Sequence, residues 1–230
     1  MARQGLLFSG NESDKTSSTD KNITFESQTN RSIASKPELL RISPGEITLF
    51  RNVLKHDEGD KALARILDEL PWQQPTIRMH GKLIPIPRLQ VWMGDDKTDY
   101  RYSGKIFSPE PWHPTITSIK EQIESLTGYK YNSVLCNLYR NGQDSVSWHA
   151  DDEPELCKET PIASFSLGAL RRFDLKHQAK PTLEKVHIPL EHNTLLVMSP
   201  EIQNHWQHQL PKTKKVLEPR INLTFRKVRV

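Results

Sequence analysis

After Gly128 the chain breaks into short alternating runs divided by turn residues, and this succession limits the fold more than any other feature. The runs are YNSVLCNLYR (131–140), SVSWH (145–149), IASFSLG (162–168), RRFDLKH (171–177), KVHIPLE (185–191), NTLLVMS (193–199), HWQHQL (205–210) and INLTFRKV (221–228). Between them stand NGQD, SLGALRR, HQAKP, EHN, SPE and LPKTKK, rich in the Gly, Pro, Asn and Asp that tight turns demand. So many short strands in unbroken order point to two sheets closed face to face, a barrel or jelly roll. Two helical patterns precede them. GDKALARILDELPW (59–72) puts Leu63, Ile66, Leu67 and Leu70 on one face and stops at Pro71. HPTITSIKEQIESLTG (113–128) does the same with Ile116, Ile119, Ile123 and Leu126, and Gly128 suits a C-terminal cap. The expected fold is α+β, mainly β, with N-terminal helices supporting one side of a jelly roll.

Residues 1–38 are rich in Ser, Thr, Asn, Lys and Asp without any period, and read as a disordered tail. The remaining length suits one domain. No apolar run approaches the ~18 residues of a membrane span, and MARQGLLFSG is too brief an apolar stretch for a secretory signal. Cys136 and Cys157 lack any paired metal spacing, which favours free thiols in a reducing compartment, nucleus or cytoplasm. The net charge of +4 is mildly basic. The clusters PKTKK (211–215), RR (171–172) and RKVRV (226–230) are candidate phosphate contacts beside the plainer reading of solvated surface.

The chemistry gathers in SVSWHADDEPE. On extended chain His149 and Asp151 project to one side, so an imidazole and a carboxylate can aim at one point. A third ligand is available in NHWQHQLP, from His205 or His208. Two histidines and one carboxylate make the facial triad of non-haem iron(II) oxygenases, which leaves open positions for a bidentate cosubstrate and dioxygen. His56, His80, His113, His177, His187 and His192 read as surface or packing residues. The terminal strand PRINLTFRKV adds a second signal. Arg220, Asn222, Thr224 and Arg226 alternate with Ile221, Leu223 and Phe225, and a face with two guanidinium groups suits a dicarboxylate. Asn137 and Tyr139 share a face of an earlier strand. The apolar face is expected to pack on the two helices.

CNLYRNGQDSVSWHADDEPEL, PIASFSLGALRRFDL and WQHQLPKTKKVLEPRINLTFRKV resemble the AlkB family of iron(II)- and 2-oxoglutarate-dependent dealkylases, particularly its animal-type branch that acts on alkylated nucleic acid. The likeness runs from PRLQVWMG (87–94) to the C-terminus and is densest at H-x-D-x-E and at R-x-N-x-x-x-R (220–226). It implies a double-stranded β-helix, with helices and nucleotide-recognition segments over 39–128 and the jelly-roll core over 129–230. It implies that His149, Asp151 and His208 bind iron(II), with His208 preferred to His205. It implies that 2-oxoglutarate meets Asn137, Tyr139, Arg220, Asn222 and Arg226, with Arg226 on the distal carboxylate and Arg220 nearer the metal. Glu153 stands where the family reads the damaged base, one strand step from Asp151. Tyr102 in DYRYSG would stack on a flipped base, with the Tyr100 hydroxyl nearby. The hairpin IRMHGKL (77–83) resembles the element that wedges into duplexes, but its tip carries His80, a poorer wedge than phenylalanine.

The resemblance therefore implies oxidative removal of N-methyl groups, as from 1-methyladenine or 3-methylcytosine, in DNA or RNA for repair of alkylation damage. Dioxygen and 2-oxoglutarate would be consumed and formaldehyde released, by a monomer that favours single strands. A hydroxylase of protein or lipid on the same scaffold is a second expectation, since fold does not fix substrate. A binding module without chemistry would lack a ligand or an arginine, and here all are present.

Overall fold

The computed structural model describes residues 36–55, 57–79, 81–102 and 105–230. In chain order the elements are β1 (Glu38–Arg41), β2 (Glu46–Arg51), α1 (Glu58–Glu69), β3 (Thr76–Met79), β4 (Lys82–Pro85), β5 (Leu89–Gly94), β6 (Tyr100–Tyr102) and β7 (Lys105–Phe107). There follow α2 (Pro114–Thr127), β8 (Ser133–Tyr139), β9 (Val146–His149), β10 (Ile162–Gly168), β11 (Arg171–His177), β12 (Val186–Leu190), β13 (Thr194–Met198), α3 (Pro200–His205), β14 (Trp206–Leu210) and β15 (Arg220–Arg226). Seven strands form a large sheet in the order β1-β2-β13-β10-β15-β8-β5, and four form a smaller one, β12-β11-β14-β9. β3-β4 and β6-β7 are separate hairpins. The pairings are antiparallel, as expected for a jelly roll.

The helical patterns and their stops behave as their residues dictate. Leu70 is extended (φ −81°, ψ 142°), the conformation forced on a residue before proline, so α1 ends at Glu69. In α2 the His113 side chain accepts the Thr115 N–H, Pro114 opens the first turn, and Gly128 closes the helix at φ +76°. Ile66, Ile116, Ile119 and Ile123 are fully or almost fully buried against the outer face of the large sheet, where they meet Ile221, Leu223 and Phe225 of β15. Each such side chain contributes about 1.5–3 kcal/mol by leaving water. A second apolar cluster lies between the sheets and joins Trp92, Leu135, Leu196 and Met198 to Phe173, Leu175, Ile188 and Trp206. β8 and β15 are buried at every position because both of their faces are covered.

N-terminal to residue 128 the fold holds more than the sequence pattern announces. That region, read as helices and recognition segments, also contributes β1, β2 and β5 to the large sheet. β5 escaped because Val91 and Met93 enter one cluster while Trp92 enters the other, so it shows no polar alternation. The expected turn at SPE opens a short helix, α3. Of the expected tail, residues 1–35 lie outside the described residues. Among the described residues no helix is long and apolar enough to cross a membrane.

Candidate metal and cosubstrate site

β9 and β14 pair so that His149 faces His208 directly. This cross-strand register puts the two imidazoles side by side, ring centroids 4.2 Å apart. His149 Nδ1 lies 2.8 Å from the Ser147 carbonyl. A carbonyl only accepts, so Nδ1 carries the proton and Nε2 keeps its lone pair. That Nε2 is 3.9 Å from Asp151 Oδ1, and His208 Nε2 is 3.8 Å from Asp151 Oδ2. The three ligand atoms lie within 4.8 Å of one another. His205 sits instead at the end of α3, its ring 6.2 Å from that of His177.

The protonation states suit a cation. Burial pushes the His208 imidazolium down to about 3, helped by His149 and opposed by Asp151, so His208 is neutral at physiological pH. Burial acts to raise the Asp151 carboxyl, but the Arg226 guanidinium against it outweighs that and holds the group below its ordinary value. Arg226 donates to Asp151 Oδ1 at 2.6 Å. The Asp151 N–H donates to Gln203 Oε1 at 2.9 Å, which ties the acidic ligand to α3, the helix leading into His208's strand.

The inner face of the large sheet supplies an anion pocket. Asn222 of β15 pairs with Asn137 on one side and Ser166 on the other, and Arg220 pairs with Tyr139. Arg220 donates to Ser166 Oγ at 2.8 Å, and its guanidinium lies 5.4 Å from the Tyr139 ring centre. Its buried Nε has no hydrogen-bond partner in the protein. Burial, with Arg171 adding and Tyr139 opposing, lowers Arg220 to about 10, so it stays cationic at neutral pH. Asn222 donates to Ser164 Oγ and receives the Thr224 hydroxyl. These groups line a narrow cavity of about 50 Å³ that reaches His149, Asp151 and His208. A wider cavity of about 350 Å³ opens on the other side, walled by Ile77, Ile84, Pro85 and Ile86 near the β3-β4 hairpin, with Trp148, Glu153 and Arg226 beside the metal ligands.

An N₂O triad joined to an arginine-lined pocket inside a jelly roll is the donor set of an iron(II) oxygenase. A match to the 2OG-Fe(II) oxygenase superfamily covers residues 46–226. The chain belongs to that superfamily, in its AlkB branch. It is 42% identical to human alpha-ketoglutarate-dependent dioxygenase alkB homolog 3 over 190 residues, 79% of this chain and 66% of that protein. It is 42% identical to the DNA oxidative demethylase ALKBH2 of Bos taurus over 189 residues, 80% of this chain and 68% of that protein. The chain thus spans just under two thirds of the human relative's length. Among solved structures "The structure of OsALKBH1" aligns with a TM-score of 0.59 at 20% identity, covering 83% of this chain and 100% of that one, a likeness in fold.

The AlkB-branch cofactors are iron(II) and 2-oxoglutarate, and the residues present fit both. Neutral His208, oriented His149 and ionised Asp151 offer borderline nitrogen and hard oxygen donors. The unmatched Arg220 Nε offers a charged donor for a carboxylate.

Geometry reverses one expectation. Arg226, not Arg220, stands at the metal end, on Asp151, while Arg220 lies on Tyr139 and Ser166 at the opposite end of β15. Sequence spacing shows that two arginines share a face but not which end of the strand the ligands approach. Glu153 also arrives differently. β9 ends at His149, so no strand step carries Glu153 to the site; its carboxylate lies 3.6 Å from Arg226 instead. Only half of the RR pair is at the surface. Arg171 is buried and donates to the carbonyls of Asn141, Asp144 and Pro211, and Arg172 pairs with Asp174. Arg226 is likewise interior. Of the six histidines read as bystanders, His113 caps α2, His177 accepts two backbone N–H groups, His187 pairs with Asp174 and His192 accepts from Gly168; His56 lies outside the described residues, as does His80.

Tyr100 and Tyr102 stand on β6, opposite Phe107 and Lys105, and their side chains are outside the described residues. Arg88 was missed. It is buried, donates to Asn137 Oδ1 at 3.0 Å and lines both cavities. A lone arginine before a strand carries no sequence signal of that burial.

Proposed function

We propose that this chain oxidatively demethylates N-methylated bases, such as 1-methyladenine and 3-methylcytosine, in DNA or RNA, for repair of alkylation damage. The observation that carries the reading is the placement of the triad between two unlike cavities. The narrow one presents Arg220, Asn222 and Asn137 to a small dicarboxylate, and the wide one presents apolar walls and Glu153 to a flat, cationic group. When bound, iron(II) and 2-oxoglutarate supply with dioxygen the oxidation that hydroxylates the methyl carbon, 2-oxoglutarate leaving as succinate and carbon dioxide and the methyl group as formaldehyde.

The chain's own residues do the rest. Arg220, set by Ser166 and stacked on Tyr139, holds the distal carboxylate. Arg226 keeps Asp151 ionised and fixes its carboxylate. Ser147 keeps the His149 ring turned so that Nε2 faces inward. Ile77, Ile84 and Ile86 exclude water beside the base, which strengthens its attraction to the Glu153 carboxylate. A base in a duplex must first be flipped, so a strand already single is the easier substrate for a monomer working alone. Similarity to an alpha-ketoglutarate-dependent dioxygenase and to a DNA oxidative demethylase supports the reading.

The test is 2-oxoglutarate-dependent formaldehyde release from single- and double-stranded DNA and RNA, each oligonucleotide with one methylated base. Release from the single-stranded members is expected. Turnover on methylated peptide and none on any nucleic acid would replace this reading with the protein-hydroxylase alternative.

A further inference from the structure

The outer face of the small sheet gathers two cations on one ring. Lys176 stands on β11 and Lys185 just before β12, and their Nζ atoms lie 4.7 and 5.8 Å from the centre of the Trp148 indole. Among the described residues neither ammonium has a carboxylate within salt-bridge distance. Other surface cations do: Lys61 pairs with Asp57, Lys130 with Glu124 and Arg172 with Asp174. The indole attracts each ammonium weakly, but two like charges held over one ring repel each other. An anion lying between them removes that repulsion.

Their position says which anion. Trp148 directly precedes the metal ligand His149 and lines the wide cavity. Both lysines thus lie against a residue of the cavity that would receive an extruded base. The anion that arrives with a base is the phosphodiester on either side of it.

We propose that Lys176 and Lys185, gathered by Trp148, clamp the backbone of single-stranded nucleic acid beside the base in the wide cavity. The proposal rests on the base-demethylating function above and adds a contact surface to it. Phosphate contacts of this kind set affinity and register and do not read sequence.

The experiment measures binding of a labelled single-stranded oligonucleotide carrying one 1-methyladenine, at several salt concentrations, with formaldehyde release followed in parallel. Each phosphate contact to a single strand adds ~0.7 to the slope of log K against log salt. The double variant Lys176→Ala/Lys185→Ala should lower that slope by about 1.4. A fourfold rise in salt then weakens the wild type about sevenfold more than the variant. Lys176→Arg/Lys185→Arg should restore the slope, and Trp148→Ala should lower it in part; melting temperatures identify any variant that misfolds. An unchanged slope in a wild-type background that still releases formaldehyde overturns the clamp and leaves the enzymatic reading intact. Lysine-dependent binding of a polyglutamate peptide, without lysine-dependent binding of the oligonucleotide, overturns it in favour of an acidic protein partner. Failure of the wild type to release formaldehyde from any oligonucleotide instead strikes the enzymatic reading.

Discussion

The two faces of β15 are equally buried and chemically opposite. Ile221, Leu223 and Phe225 are each 0% exposed against α1 and α2, and Arg220, Asn222, Thr224 and Arg226 are 2–8% exposed toward the small sheet. The apolar face gains free energy from burial alone. The polar face loses hydration and recovers it only through partners: Ser166, Ser164, Asp151 and one another. One strand thus carries a stabilising surface and a chemical one, and the second is kept for what it binds.

The largest effect is expected at Asp151. Asp151→Ala should leave no turnover above background, and it should cost about 3–5 kcal/mol of stability because Arg226 loses its nearest carboxylate while still buried. Denaturant melts alongside formaldehyde release check both; a variant as stable as wild type would mean that Arg226 does not depend on Asp151. On the other face, Phe225→Ala should cost a similar ~3–5 kcal/mol. Its folded fraction should keep a wild-type KM for 2-oxoglutarate. A large KM change there would show that the faces are not separable.

Arg220→Met should act the other way, raising the KM for 2-oxoglutarate by roughly 10–100-fold through loss of a charged hydrogen bond of about 1.5–3 kcal/mol. Its melting temperature should stay near wild type, because an apolar replacement removes a buried charge.

The smallest effect lies outside the strand. Burial acts to raise the Glu124 carboxyl, but Lys130, the Tyr131 N–H and Lys120 together hold it below its ordinary value. A depressed carboxyl contributes stability that is present above its unfolded pKa and lost as pH falls through the folded one. Glu124→Gln should therefore lower the melting temperature modestly at neutral pH and converge on wild type in acid, which flattens the acid limb.

Much of this was legible in advance. The alternation of β15, the strand series after Gly128 and the Ile spacing of α2 are local patterns, and each matches the observed faces. His149 and Asp151 stand two apart, a spacing that by itself marks a candidate ligand pair. Arg88 and Arg171 gave no such signal, because the Asn137 side chain and the three carbonyls that hold them come from distant segments. β5 hid for a related reason: both of its faces are buried, so the polar-apolar rhythm of a half-exposed strand is missing.

By itself the sequence determined which residues share a face, since side-chain direction follows from chain periodicity within a few residues. Only the tertiary structure decided which arginine meets the metal ligands. That choice depends on β9 and β14 pairing at His149 and His208, and on the segment after β9 laying Asp151 against Arg226. Register between strands is settled by packing across the whole sheet, and no local pattern encodes it.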